Sequence, residues 1–158
     1  MPALQPTLTA ITVTPQAQGF TLCYHQRLIL RHTPETPCVW AGAGTADIEM
    51  FRGNFSIKDR LHEKIALTDA TVLPDATGWS IRFTRGDTIC ATLRVSADEA
   101  GRLVLNLKND APSHNRLWLR LAAQPADHIY GCGEQFSYFD LRGKPFPLWT
   151  SEQGVGRN

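Results

Sequence analysis

Thr88-Ile89-Cys90-Ala91-Thr92-Leu93-Arg94-Val95 alternates apolar and polar side chains, with Ile89, Ala91, Leu93 and Val95 in one register and Thr88, Cys90, Thr92 and Arg94 in the other. A period of two puts one set on each face of an extended chain, so this stretch predicts a half-buried β-strand. On either side the pattern repeats. Thr71 to Leu73, Trp79 to Thr84, Arg102 to Leu107 and Arg116 to Leu121 are strand-like, and Pro74 to Gly78, Arg85 to Asp87, Ser96 to Gly101 and Asn109 to Asn115 separate them. Turn signals about every ten residues, with no long helical period, predict an antiparallel all-β domain. Each strand must bury one face, and of the two stable solutions, packed sheets or a barrel, a β-sandwich is expected. Trp79 and Trp118 are expected to anchor its core.

Toward the N-terminus the punctuation is less regular. Leu8 to Val13 carries β-branched residues and predicts a first strand, which Pro15 to Gly19 should break. Phe20, Leu22 and Tyr24 alternate, His25-Gln26 interrupts, and Leu28-Ile29-Leu30 resumes, as in a hairpin or one bent strand, with His25 and His32 merely flanking strands. Thr33 to Pro37 reads as a loop. Val39-Trp40 reads as a short strand ending in a flexible turn at Ala41-Gly42-Ala43-Gly44. No third glycine and no helix follow that turn, which argues against a nucleotide-binding loop. Asp47 to Phe51 and Phe55 to Ile57 flank Arg52-Gly53-Asn54, a hairpin-type turn. Ile57, Leu61 and Ile65 recur every four residues, as on a helix, while Phe55, Ile57, Leu61, Ile65 and Leu67 share odd parity, as on a strand; an irregular or one-turn helical link to a strand at Lys64 to Thr68 is expected, its charges forming a solvated face.

With 158 residues the chain suits one domain, residues 1–158, able to bury roughly two-thirds of its unfolded surface. A formal net charge of +1 supplies no long-range attraction to nucleic acid or to an anionic membrane, and neither is expected as a partner. The N-terminal residues have no basic segment followed by an apolar one long enough for export, and no later run approaches a membrane span, so a cytoplasmic protein is expected. Cys23, Cys38, Cys90 and Cys132 are widely spaced, which suits small buried or half-buried apolar residues better than a zinc site or a disulfide framework. No metal and no cofactor are expected.

The densest collection of site-forming residues is the last stretch, 128–158. Its glycines permit turns and close backbone approach, and Glu134, Asp140, Arg142, Lys144, Glu152 and Arg157 set charge beside aromatic rings. Tyr130-Gly131-Cys132-Gly133-Glu134 and Leu141-Arg142-Gly143-Lys144 form two glycine-marked corners around Phe136-Ser137-Tyr138-Phe139. There is no Gly-x-Ser-x-Gly elbow and no His-x-x-x-His pair, and a carboxylate pair cannot be recognised without distances.

Tyr130-Gly131-Cys132-Gly133-Glu134, followed by Leu141-Arg142-Gly143 and Leu148-Trp149, resembles the signature near the end of the N-terminal β-sandwich of glycoside hydrolase family 31, the α-glucosidase family. Within it, Gln26 to Leu30, Asp47 to Asp59 and nearly everything from His114 to Asn158 are most similar to members that act on α-sulfoquinovosides. The resemblance covers all but the first twenty or so residues. It implies a galactose-mutarotase-like sandwich and, for the complete enzyme, a retaining double displacement by two aspartates on a (β/α)8 barrel in the same chain. Such a barrel takes about 250 residues, and neither aspartate matches a position here. The expectation is therefore a non-catalytic N-terminal part truncated before the barrel. Glu134, Arg142, Lys144 and Glu152 would line the pocket entrance or pin the domain interface, and no residue of this chain would be catalytic. The alternative is a stand-alone carbohydrate-binding or assembly module with the same sandwich.

Overall fold

The computed structural model describes residues 10–51, 54–131 and 138–145. Ten strands are formed among them: β1 (Ile11–Gln16), β2 (Gly19–Tyr24), β3 (Arg27–His32), β4 (Val39–Phe51), β5 (Asn54–Ala66), β6 (Asp69–Asp75), β7 (Gly78–Arg85), β8 (Thr88–Ala97), β9 (Leu103–Asn109) and β10 (Arg116–Leu119). They make three sheets, ordered β1-β2-β3, β10-β4-β5 and β6-β7-β8-β9. Every strand pair whose register is defined is antiparallel. The described residues fall into two compact units, one of those up to Thr45 with Arg60–Ala122, the other of Ala46–Asp59 with those from Ala123 onward. No helix among the described residues is long and apolar enough to cross a membrane.

The larger unit holds the core. Phe20 and Leu22 from β2, Leu30 from β3, Val39 and Ala41 from β4, Ile81 and Phe83 from β7, and Ala91, Leu93 and Val95 from β8 belong to one cluster of buried side chains. The alternation along β8 thus does what its sequence predicts from Ala91 to Val95, and Leu103, Leu105 and Leu107 of β9 extend it by packing against the same cluster. It fails one step earlier. Phe83 pairs with Ala91 but Thr84 pairs with Ile89, so Cys90 is an extra residue in a bulge; Cys90 turns inward, and Ile89 is left 40% exposed.

His32 is fully buried, which corrects the reading that it only flanks a strand. Its ring stacks on Phe20 at 5.7 Å and meets Phe83 edge-on at 5.3 Å, joining two sheets. The backbone N–H of Cys38 points at Nδ1 (3.3 Å), so Nδ1 accepts and the ring proton sits on Nε2, where it is donated to the Thr68 carbonyl (3.0 Å). Burial holds the imidazole pKa below its ordinary 6.5, against the opposing pull of the Thr68 carbonyl and the Asp69 charge. Burial likewise pushes the neighbouring Cys38 thiol up to about 12, leaving it a packing residue.

Four further expectations are corrected. Pro15 and Pro74 do not end their strands: both lie inside strands at a sheet edge, β1 and β6, where a missing N–H can face away from the ladder. Ala41 to Gly44 is not a flexible turn but the interior of β4. A Cβ on Gly42 would come within 2.3 Å of the Glu63 carbonyl oxygen and 2.9 Å of the Trp118 ring, so glycine is required by close approach. Ile57 to Ile65 forms no helical turn; it lies within the continuous strand β5, because pairing with β4 satisfies its backbone and residues four apart are in phase on a strand as well. Trp118 is not in the core either. Leu117 and Leu119 face the core, so Trp118 takes the other face, opposite Trp40, with the Lys64 ammonium 4.6 Å from its ring. Trp79 does pack against the core.

His25 and Gln26 make the β2–β3 hairpin turn, both with positive φ (46° and 65°), which resolves the choice between a hairpin and a bent strand. The expected first strand begins at Ile11; Leu8 and Thr9 lie outside the described residues, as do Arg52 and Gly53 of the turn expected after Phe51.

Candidate functional site

Of the stretch singled out for its glycines and charges, residues 128–131 and 138–145 are described; Glu134, Glu152 and Cys132 lie outside the described residues. The centre of what remains is Asp140. Its Oδ1 accepts the backbone N–H of Arg142 (3.0 Å) and of Ile129 (3.1 Å), and Oδ2 accepts from His128 Nδ1 at 2.7 Å. The contact to Arg142, two residues on, is the Asx-turn geometry that aspartate readily forms. Gly143, with φ of 66°, then turns the chain so that the Lys144 N–H reaches the Leu141 carbonyl at 3.1 Å. Leu141 itself is buried, its N–H bonded to the Ile129 carbonyl at 2.8 Å. Two chain segments are thus fastened together by one carboxylate and one backbone bond.

These donors set the acidity of Asp140. The hydrogen bond from His128, with the backbone N–H groups of Arg142 and Ile129, holds its carboxyl down to about 2. A carboxylate kept ionised in that way cannot serve as a general acid near neutral pH. It orients His128 instead, fixing the proton on Nδ1 and leaving Nε2 on the far side of the ring.

Arg142 and Lys144, the two described members of the expected site, are placed differently. The Arg142 guanidinium donates through Nη1 to the Asp127 carbonyl at 2.8 Å and to the Gln124 carbonyl, so it braces the 124–127 turn. That turn is closed by the Asp127 N–H on the Gln124 carbonyl (3.0 Å) and the Gln124 N–H on Asp127 Oδ2 (2.7 Å). Lys144 lies with its ammonium 5.0 Å from the Tyr138 ring centroid, a cation–π contact at the surface. Around them the aromatic rings are open to solvent: Tyr130 is in contact with Phe139 at 5.0 Å and stacks on His128 at 6.0 Å, and Phe139 is 87% exposed.

The sequence reading named Asp140 only as one charge among several and His128 only as the start of the stretch. Their pairing was missed. The available signal was local: an aspartate followed at the third position by glycine, a spacing that favours an Asx turn, whereas the partnership with His128, twelve residues earlier, is a tertiary contact.

A family model described as the glycosyl hydrolase 31 N-terminal galactose mutarotase-like domain matches residues 41–157. The sulfoquinovosidase of Escherichia coli (strain K12) is 71% identical over 140 residues, a match covering 89% of this chain and 21% of that protein. The sulfoquinovosidase of Agrobacterium fabrum (strain C58 / ATCC 33970) is 43% identical over 147 residues, covering 89% and 20% respectively. Among solved structures, a GH31 family sulfoquinovosidase from E. rectale in complex with the aza-sugar inhibitor IFGSQ superposes with a TM-score of 0.73 at 35% identity, over 93% of this chain and 21% of that one. The chain spans about a fifth of the length of the relatives it matches. With an antiparallel sandwich, a terminal turn carrying the signature glycines and a family model over most of its length, the chain belongs to glycoside hydrolase family 31, as the galactose mutarotase-like N-terminal domain of that family.

Proposed function

We propose that this chain is the supporting sandwich of a retaining sulfoquinovosidase, a hydrolase of α-sulfoquinovosides whose reacting carboxyls lie on a (β/α)8 barrel of the same polypeptide. The observation that carries this reading is the 71% identity to a sulfoquinovosidase over 89% of the chain, combined with coverage of only 21% of that relative. Retention requires two carboxyls about 5 Å apart across one glycosidic bond. Asp140, the carboxylate among the described residues of 128–158, is engaged in holding backbone and His128, which supports a structural rather than a chemical task. Residues 1–158 act as one domain in this reading, supported by a family match that runs through both compact units. Its terminal stretch, 128–158, leads to the barrel. Arg142, with its guanidinium on two backbone carbonyls, braces that approach; Lys144, Glu134 and Glu152 are assigned to the same lip or to the domain contact. A reducing cytoplasm suits the free thiols of Cys23, Cys38 and Cys90.

The test is a chimera in which this chain replaces the matched segment of the Escherichia coli relative, assayed on a chromogenic α-sulfoquinovoside. The chimera is expected to turn over the substrate and the isolated chain is expected to be inert. Turnover by the isolated chain that survives purification, or a folded chimera without activity, would sink the proposal. Saturable amide shifts at residues 138–145 when the isolated chain is titrated with sulfoquinovose would instead favour a binding module.

A further inference from the structure

Among the described residues, the three sheets leave six edge strands: β1, β3, β10, β5, β6 and β9. An unpaired edge is a template for another strand, and proteins blunt such edges with proline, charge, shortness or cover. Five of the six are blunted. Pro15 lies within β1 and Pro74 within β6. β5 carries Lys58, Asp59, Arg60, Glu63 and Lys64, β10 is four residues long, and the Ile29 carbonyl of β3 already accepts the Ala122 N–H at 2.8 Å.

β9 is the exception. Leu103-Val104-Leu105-Asn106-Leu107-Lys108-Asn109 contains no proline and a single charge. It pairs with β8 along its whole length on one side and makes no backbone hydrogen bond on the other among the described residues. Alternate N–H and C=O groups on that open side are directed away from β8, as in any antiparallel edge. Leu103, Leu105 and Leu107 pack against the core but stay only partly buried, and Val104 on the opposite face is 39% exposed. A further strand would cover apolar surface on both faces at once.

We propose that β9 pairs antiparallel with β9 of a second copy of this chain, about a two-fold axis at Asn106, joining two β6-to-β9 sheets into one. Register follows from parity, length and charge. Outward-directed backbone groups can meet only outward-directed ones, so opposed residues share parity and the axis falls on a residue. With the axis at Asn106 the whole of β9 overlaps, and Leu105 lies opposite Leu107 and Val104 opposite Lys108 of the second copy. Just beyond the strand, Arg102 then faces Asp110, opposite charges at both ends. An axis at Leu105 would set Arg102 against Lys108, and one at Leu107 would set Asp110 against Val104; both shorten the overlap. The two-fold pairing uses up both β9 edges while Pro74 blunts the far edge of the sheet, so association closes at a dimer. One strand edge makes less than the roughly 1,200 Å² of a standard interface, so a weak dimer is expected.

Sedimentation equilibrium of this chain at concentrations up to about 1 mM is expected to show monomer and dimer in exchange. Val104→Lys and Val104→Glu remove the same apolar side chain but set opposite charges against Lys108 of the second copy. The Glu variant is expected to dimerise at least about tenfold more tightly than the Lys variant. Both should melt as cooperatively as the wild type, since Val104 is not a core residue, which separates lost pairing from lost folding. Mild oxidation of Asn106→Cys is expected to link the two copies through the introduced thiols, located by peptide mass spectrometry, because directly opposed residues lie within disulfide reach. A wild type that remains monomeric throughout overturns the inference. So do equal dimerisation constants for the two Val104 variants, or a dimer in which Asn106→Cys does not cross-link.

Discussion

His32 shows how much one side chain can carry. It is the one buried polar residue among the described positions whose whole side chain is sequestered, and its two nitrogens serve two backbone groups on different segments, Cys38 N–H and the Thr68 carbonyl. Replacing it by phenylalanine keeps an aromatic ring between Phe20 and Phe83 but leaves both backbone groups without partners. His32→Phe is therefore expected to cost about 1–3 kcal/mol, measured by urea unfolding at pH 7.5. The pH dependence has a definite sign. The folded pKa lies below the unfolded value, so between the two the unfolded chain binds the extra proton and stability falls as the pH drops. The contribution is complete above about pH 6.5 and erodes below it, by way of the lowered folded pKa. Wild type should lose more stability than His32→Phe between pH 7.5 and 5.5; equal losses would show that His32 does not titrate with unfolding. That a histidine before a proline-containing loop would prove to be a core residue could not be seen in sequence, because its partners come from two other segments.

At the scale of elements, the departures from the expected pattern have a common cause. Residues with poor strand propensity, Pro15, Gly42, Gly44 and Pro74, all lie within strands, because the position of the strand in its sheet removes the penalty or makes it an advantage. Edge positions tolerate the prolines. The glycines are needed because β5 and the Trp118 ring press against β4 from the outer side. Asn115 completes this arrangement, its side-chain amide bonding both the N–H (3.0 Å) and the carbonyl (2.9 Å) of Gly44, where β10 has not yet begun. Gly42→Ala must displace the β5 backbone at Glu63 or the Trp118 ring, and is expected to destabilise the chain by about 1–3 kcal/mol in a thermal or urea melt. A neutral or stabilising outcome, as for an ordinary strand glycine, would mean that this approach is looser than described. Sequence reasoning reported these residues as breaks because propensity is averaged over all strands, while edge location and cross-sheet crowding are properties of the assembled sheet.

For the whole molecule, the connectivity is strongly non-local. β10 pairs with β4, Trp118 lying opposite Trp40, and the core draws on strands from Ile11 to Leu107. Such a topology should refold in milliseconds to seconds after dilution from urea, as loop closure must precede most native contacts. Full recovery of the native signal within microseconds would contradict it. The sequence alone determined the all-β class, the hairpins of the β6-to-β9 sheet, the family and the terminal stretch worth inspecting, since alternation, turn residues and a signature motif are written locally. Only the tertiary structure decided that His32 lies inside, that Ile89 lies outside, that Asp140 clasps His128 and that Arg142 is spent on carbonyls. It alone disclosed that, among the described residues, every buried apolar side chain but Leu141 gathers in one unit. The reason is that burial and hydrogen-bond partnership depend on which distant segments meet, and a period of two records that a strand has two faces without recording what covers either.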